Sequence, residues 1–206
     1  MAKKALLVVD VGKDFCLGGA LAVPGGDEVV EPINRLIEYA DKNDMLVILI
    51  RDWHPPDSRH FEKWPRHCVA GTPGADFHPD LLVAGGPRVL LFKGIDPEED
   101  GYSPWEGKIK LAIRLFRGGL LRSVDSIWPT LKELLKTAGV EEAYVCGLAT
   151  EYCDKAAASG AIAEGFRTFL VLDACRAVKE EDGASAVKEL ESLGVIITST
   201  EEILKG

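Results

Sequence analysis

The sequence predicts an α/β protein of three layers, with a mostly parallel central sheet between two layers of helices. Three observations carry this expectation. Short apolar runs rich in Val, Leu and Ile alternate with longer segments of helical period. The runs are continuously apolar, as in strands buried on both faces of a parallel sheet. Polar residues of useful chemistry recur at or just after the ends of these runs, where open parallel sheets bind their ligands.

Residues 5–9 form the first strand, ended by Asp10, and a loop follows with glycine pairs beginning at Gly18 and Gly25. Residues 28–42 are a helix, because Val29, Ile33, Leu36, Ile37 and Ala40 share one face. The second strand, 45–50, leads into Arg51-Asp-Trp-His54. Residues 55–86 make a long connection rich in Pro, Gly and His, of a kind that compact domains seldom keep without a functional reason. The third strand, 88–92, ends at Lys93, and 94–107 is a polar, acidic loop. In 108–121 an apolar stripe of Ile109, Ala112, Ile113, Phe116 and Leu120 is flanked by Lys108, Lys110, Arg114 and Arg117. It reads as a basic amphipathic helix. A packed surface helix, a subunit contact and a lid over the site are its main readings, with membrane-surface binding disfavoured by the net charge. Residues 126–138 are a helix with Gly139 just past its end. The fourth strand, 143–146, breaks at Gly147, and a helix over 154–164 stops at Gly165. A strand at 168–172 ends at Asp173, followed by a helix at 181–193, a strand at 195–198 and a short helix at 199–204. The expected organisation is one domain over 1–206 with a helical insertion at about 105–125.

The formal net charge of −9 argues against nucleic acid or an anionic membrane as partner. The apolar run at 5–9 is too short for the core of a signal peptide, and nothing approaches the ~18–20 apolar residues of a membrane span. A cytoplasmic protein is expected. The five cysteines are odd in number and lack C-x-x-C spacing, which argues against a disulfide framework or a four-cysteine zinc site.

Cys153 falls where a strand, a glycine-bearing turn and a helix meet. A thiol there faces the positive end of the helix, which favours a nucleophile, although an ordinary buried cysteine also fits. Asp10 and Lys93, at other strand ends, supply a base for the thiol and a charge to stabilise its anion. Asp52 and His54 lie on one side of an extended segment. With His67, and His60 between, they suit a divalent metal with open positions: zinc first, iron or manganese as alternatives. Phe15, Trp64 and Tyr102 lie in the neighbouring loops and could line a slot for a planar ring.

The chain resembles the nicotinamidases among the isochorismatase-like cysteine hydrolases. The resemblance rests on Val9-Asp10 with Asp14-Phe15, Arg51-Asp-Trp-His54, the run from Trp64 to Ala75, Phe92-Lys-Gly94, Tyr102-Ser103, the run from Cys146 to Cys153, and Asp173-Ala-Cys-Arg176. It implies hydrolysis of a small amide, nicotinamide, to an acid and ammonia in NAD salvage. By resemblance Asp10 is the base, Lys93 its charged partner and Cys153 the nucleophile. Asp52, His54 and His67 are metal ligands, and His60 is a further ligand in some members. A cis peptide is expected at Leu148-Ala149, with an oxyanion hole at the backbone of Ala149 and Cys153. Phe15, Trp64, Tyr102 and Tyr152 line the ring slot, and a homo-oligomer is expected. The chain departs from the family pattern at Gly12-Lys13, where Gln-Asn is usual, and at Asp154, where an apolar residue is usual. These departures leave two other readings open: an amidase for a different small amide, and a non-catalytic metal-binding protein on the same fold.

Overall fold

The computed structural model describes residues 3–86, 88–105, 110–114, 122–123 and 130–205. Its strands are β1 (Lys3–Val9), β2 (Leu46–Asp52), β3 (Arg88–Lys93), β4 (Lys110–Arg114), β5 (Arg122–Ser123), β6 (Val140–Leu148), β7 (Arg167–Arg176) and β8 (Ile196–Thr198). The helices are α1 (Val30–Lys42), α2 (Leu131–Thr137), α3 (Lys155–Ala163), α4 (Glu180–Ser192) and α5 (Thr200–Lys205). The described strands form one sheet in the order β5-β4-β3-β2-β1-β6-β7-β8. The six strands from β3 to β8 in that order pair parallel, and β4 and β5 extend the β3 edge antiparallel.

The apolar runs became the buried strands expected of them. Ala5–Val9 and Val47–Ile50 are wholly buried, and α1 turns Ile33, Leu36, Ile37 and Ala40 onto them. Crossovers from β1 and from β6 travel in opposite directions along the sheet. Right-handed connection therefore puts α1, packed on α5, and α3, packed on α4, on opposite faces. The strand order reverses between β1 and β6, which opens a crevice at their carboxyl ends. Among the described residues no helix is long and apolar enough to cross a membrane.

Most strand and helix ends shift from the sequence expectation, β6 for example running Val140–Leu148 where the sequence predicts 143–146, and four differences are structural. The start of the 28–42 helix is a 3₁₀ turn, Gly26–Val29, and α1 proper begins at Val30. Helix α2 begins at Leu131, behind a capping box in which Thr130 and Glu133 satisfy each other's backbone N–H groups. Strand β7 continues past Asp173 to Arg176 through a register shift opposite Cys146. Residues 110–114 are strand β4, not part of a helix. The Leu111-Ala-Ile113 run fits a strand as readily as a helical stripe, and the open edge of β3 offers it a full antiparallel ladder. Residues 108–109 and 115–121 of that expected helix lie outside the described residues.

The 55–86 connection is tied down by two 3₁₀ turns, Arg59–Glu62 and Pro73–Ala75, and by bridges from Gly12 to Phe77 and from His54 to Val69.

Candidate active site and metal cluster

The structure brings Asp10, Lys93 and Cys153 together from the ends of three strands. Asp10 leaves β1 in a left-handed conformation, φ 51°, held by its N–H on the Ile50 carbonyl. Such a backbone is uncommon outside glycine, and Asp is among the residues that tolerate it. Lys93 closes β3, in register with Asp52 at the end of β2. Cys153 lies in a π-helical turn, Thr150–Asp154, between β6 and α3, after a cis peptide at Leu148-Ala149. The approach of β6 to β1 requires Gly147, since a Cβ there would lie 1.9 Å from the Val9 carbonyl oxygen.

The Lys93 ammonium is the hub. It lies 2.8 Å from Asp10 Oδ2 and 2.5 Å from Asp52 Oδ1. It also donates to Cys153 Sγ at 3.3 Å and to the Gly101 carbonyl at 3.1 Å. All four charged or nucleophilic groups are buried. Burial, then the Asp52 charge, raises Asp10 to about 6 against the pull of Lys93. Burial also pushes Asp52 up, but Lys93 and His54 outweigh it and hold this carboxyl below the usual range. Desolvation would neutralise Lys93, yet the two carboxylates keep it an ammonium. Burial, aided by the same carboxylates, pushes the Cys153 thiol well above its ordinary value despite Lys93. The resting group is therefore a neutral thiol beside the Asp10 carboxyl, not the thiolate that its place before a helix suggests. Such a thiol needs a base at the moment of attack, and Asp10 is the carboxylate in contact with it.

On the other side of Asp52 lie three histidines. Ring nitrogens of His54, His60 and His67 fall within 4.8 Å of one another, and all three rings are buried. Each Nδ1 faces an acceptor: the Gly94 carbonyl for His54 at 3.1 Å, Asp100 for His60 at 3.4 Å, and the Pro65 carbonyl for His67 at 2.7 Å. That places the proton on Nδ1 and leaves the Nε2 lone pairs free to converge, the arrangement found around metal-bound imidazoles. His54 Nε2 is buried with no hydrogen-bond partner and lies 3.5 Å from Asp52 Oδ2. Burial lowers His60 to about 4 and also lowers His67, so both rings are neutral near neutral pH. One carboxylate and up to three imidazoles suit a divalent transition metal. Gly94 is required beside them: its φ is 65°, and a Cβ would lie 2.5 Å from His54.

Cys16, Asp27 and His78 form another close trio, but their hydrogen bonds run the other way. The Asp80 N–H donates to His78 Nδ1, so Nε2 carries the proton and donates to Asp27 at 3.2 Å. Burial and Asp27 push the Cys16 thiol up to about 12. This trio is a hydrogen-bonded cluster without a free imidazole lone pair.

The slot beside both clusters is lined by Phe15, Trp64, Tyr102 and Tyr152, as the sequence suggested. Trp64 Nε1 donates to the Tyr102 hydroxyl at 2.7 Å, and Tyr152 stands edge-on to Trp64 and roughly parallel to Tyr102. Ala149 and Cys153 reach the slot together, which puts their backbone beside the thiol. Sequence reasoning missed Leu21, Val23 and Val178 in the same wall, because lone apolar loop residues give no signal. It also missed Asp14 as a brace: its carboxylate accepts the Cys68 and Ala20 N–H groups, packed where a Cβ on Gly74 would clash. Asp173, grouped by sequence with the strand-end chemistry, instead accepts the Thr200 N–H at the start of α5.

Comparison with known proteins agrees with this geometry. The isochorismatase domain family matches residues 4–91 and 125–202. A nicotinamidase of Escherichia coli is 33% identical over 96% of this chain and 95% of its own length. A nicotinamidase/pyrazinamidase of Mycobacterium tuberculosis is 34% identical over 93% and 96%. The solved structure of a Pyrococcus horikoshii pyrazinamidase in complex with zinc superposes with a TM-score of 0.80 at 36% identity, covering 96% of this chain and 99% of that one. With the match falling on both halves of the parallel sheet and spanning Asp10, Asp52, His54, His60, His67 and Cys153, the chain belongs to the isochorismatase family.

Proposed function

We propose that the chain is a metal-dependent nicotinamidase that hydrolyses nicotinamide to nicotinate and ammonia. The observation that carries this reading is the buried Asp10–Lys93–Cys153 set sharing Asp52 with a cluster of bare imidazole nitrogens. Asp52, His54 and His67, with His60, would hold one divalent cation, zinc by analogy with the Pyrococcus horikoshii protein. Bound there, the cation would act as a Lewis acid toward the pyridine nitrogen and so orient the ring, rather than polarising the amide carbonyl.

The chain's own residues carry the chemistry. The aromatic walls grip the ring and exclude water. Asp10 takes the Cys153 proton as Sγ attacks the carboxamide carbon. Backbone N–H groups of Ala149 and Cys153 receive the developing oxyanion. Asp10 then returns its proton to the amide nitrogen, the C–N bond breaks, and ammonia leaves a thioester on Cys153. Water attacks that thioester while Asp10 takes its proton; the C–S bond breaks, nicotinate forms and Cys153 is reprotonated. Lys93 stays an ammonium throughout, steadying Asp10 and the sulfur as charge moves between them.

The test is ammonia release from nicotinamide by wild type and Cys153→Ala, each before and after chelation and zinc re-addition. Release that needs both the thiol and the metal is expected. No release from folded, zinc-loaded wild type, but release from another small amide, would move the assignment to a different amidase.

A further inference from the structure

The loop between β3 and β4 touches every part of the site. Its Gly94 carbonyl accepts from His54, its Gly101 carbonyl from Lys93, and its Tyr102 hydroxyl from Trp64. It is also latched to the 3₁₀ turn that carries His60. The Arg59 N–H donates to the Pro97 carbonyl at 2.8 Å, and the Arg59 guanidinium meets Glu98 at 3.0 Å. Asp100 spans the remaining gap, with Oδ2 on Lys63 at 2.7 Å and Oδ1 facing His60 Nδ1 at 3.4 Å.

The ring of His60 stacks flat on His54, with centroids 4.5 Å apart and planes 12° from parallel. Stacking fixes the plane of a ring but not its flip within that plane. A flipped His60 would point Nε2 away from the cluster. The acceptor at Nδ1 decides the flip and the tautomer, and Asp100 is the group that faces it.

We propose that Asp100 is a positioning residue that aims His60 at the cation. The inference rests on the metal reading above. A carboxylate behind a ligating imidazole typically accounts for 10–100-fold in metal affinity. Asp100→Ala is therefore expected to weaken zinc binding about tenfold, measured by competition with a chromophoric chelator on protein whose fold is checked by circular dichroism. Asp100→Asn keeps an acceptor without the charge and should fall between the two. Lys63→Met removes only the outer ion pair and should bind zinc like wild type. In a His60→Ala background, Asp100→Ala should change little, because the ring through which it acts is gone.

Wild-type zinc affinity in Asp100→Ala would overturn the proposal and leave the metal reading standing. So would an equal loss in Lys63→Met, or an undiminished loss in the His60→Ala background, since either would assign the effect to the latch. Failure of the wild type itself to take up zinc would overturn the metal reading and this inference together.

Discussion

Asp154 follows Cys153 and is wholly buried, at a position where the family resemblance predicts an apolar residue. Neither of its oxygens reaches a hydrogen-bond partner of ordinary geometry; its nearest polar neighbour is the Cys175 thiol, whose own bond goes to the Val171 carbonyl. It heads α3 without capping it. Burial, with Asp10 and Glu151 nearby, raises this carboxyl well above the usual carboxylate range. An unsatisfied buried polar group costs about 1–3 kcal/mol, and Asp154→Val removes it with little change in helix propensity. The variant should be more stable by roughly 1–3 kcal/mol even at low pH, where the wild-type carboxyl is neutral both folded and unfolded. The pH dependence separates this cause from simple repacking. Because the folded value is raised, wild-type stability is fully present below the unfolded-chain value. It declines as pH rises from there until the folded group itself ionises. In that window the variant's advantage should grow by up to about 1.4 kcal/mol per pH unit. Urea unfolding of both proteins at pH 5, 6 and 7, with metal removed from each, reads the difference directly. A difference that is flat with pH, or a destabilised variant, would refute the account of Asp154 as a buried acid deprived of a partner.

Two further outcomes follow from the same geometry. Asp10 must be a carboxylate to take the thiol proton, so kcat/KM for nicotinamide should fall as pH drops through about 6. A cation on Asp52 moves that limb lower, and a pH–rate profile with its acid limb above 7 would contradict Asp10 as the base. Gly160→Ala should raise helix propensity by about 1 kcal/mol. Its Cβ, however, would sit 2.2 Å from the indole of Trp105, which donates to the Ala157 carbonyl. The net result should be a loss of about 1–2 kcal/mol in urea unfolding, whereas a raised midpoint would show that Trp105 has room to move.

How much of this was legible in the sequence depends on range. The strands were readable because burial on both faces leaves an unbroken apolar run, and strand ends such as Asp10, Asp52 and Lys93 follow from where the runs stop. Their convergence was readable only through the parallel-sheet rule, which sends strand ends to one crevice. What escaped depends on partners far along the chain. The 110–114 segment carries both periods, and only the open edge of β3 decides between them. The thiol's protonation reverses the local argument from the helix, because burial, aided by two carboxylates from other strands, outweighs it. His60 was ambiguous by spacing alone, and its place in the cluster depends on a turn folded back onto the 94–105 loop.

The register Asp52↔Lys93 explains why a thiol hydrolase would keep a metal at all. Paired at the ends of adjacent parallel strands, these side chains join the two clusters through one short ion pair. In the protein alone, Asp10 and Asp52 set two buried negative charges against a single ammonium, and the surplus opposes any further negative charge on Cys153. A divalent cation held by Asp52 and the histidines would offset that surplus, in a low-dielectric site where such charges act strongly. The same ion that orients a pyridine ring would thus also ease charge onto the nucleophile. Asp52 is the residue through which both effects pass, so its loss should cost more than that of any one histidine.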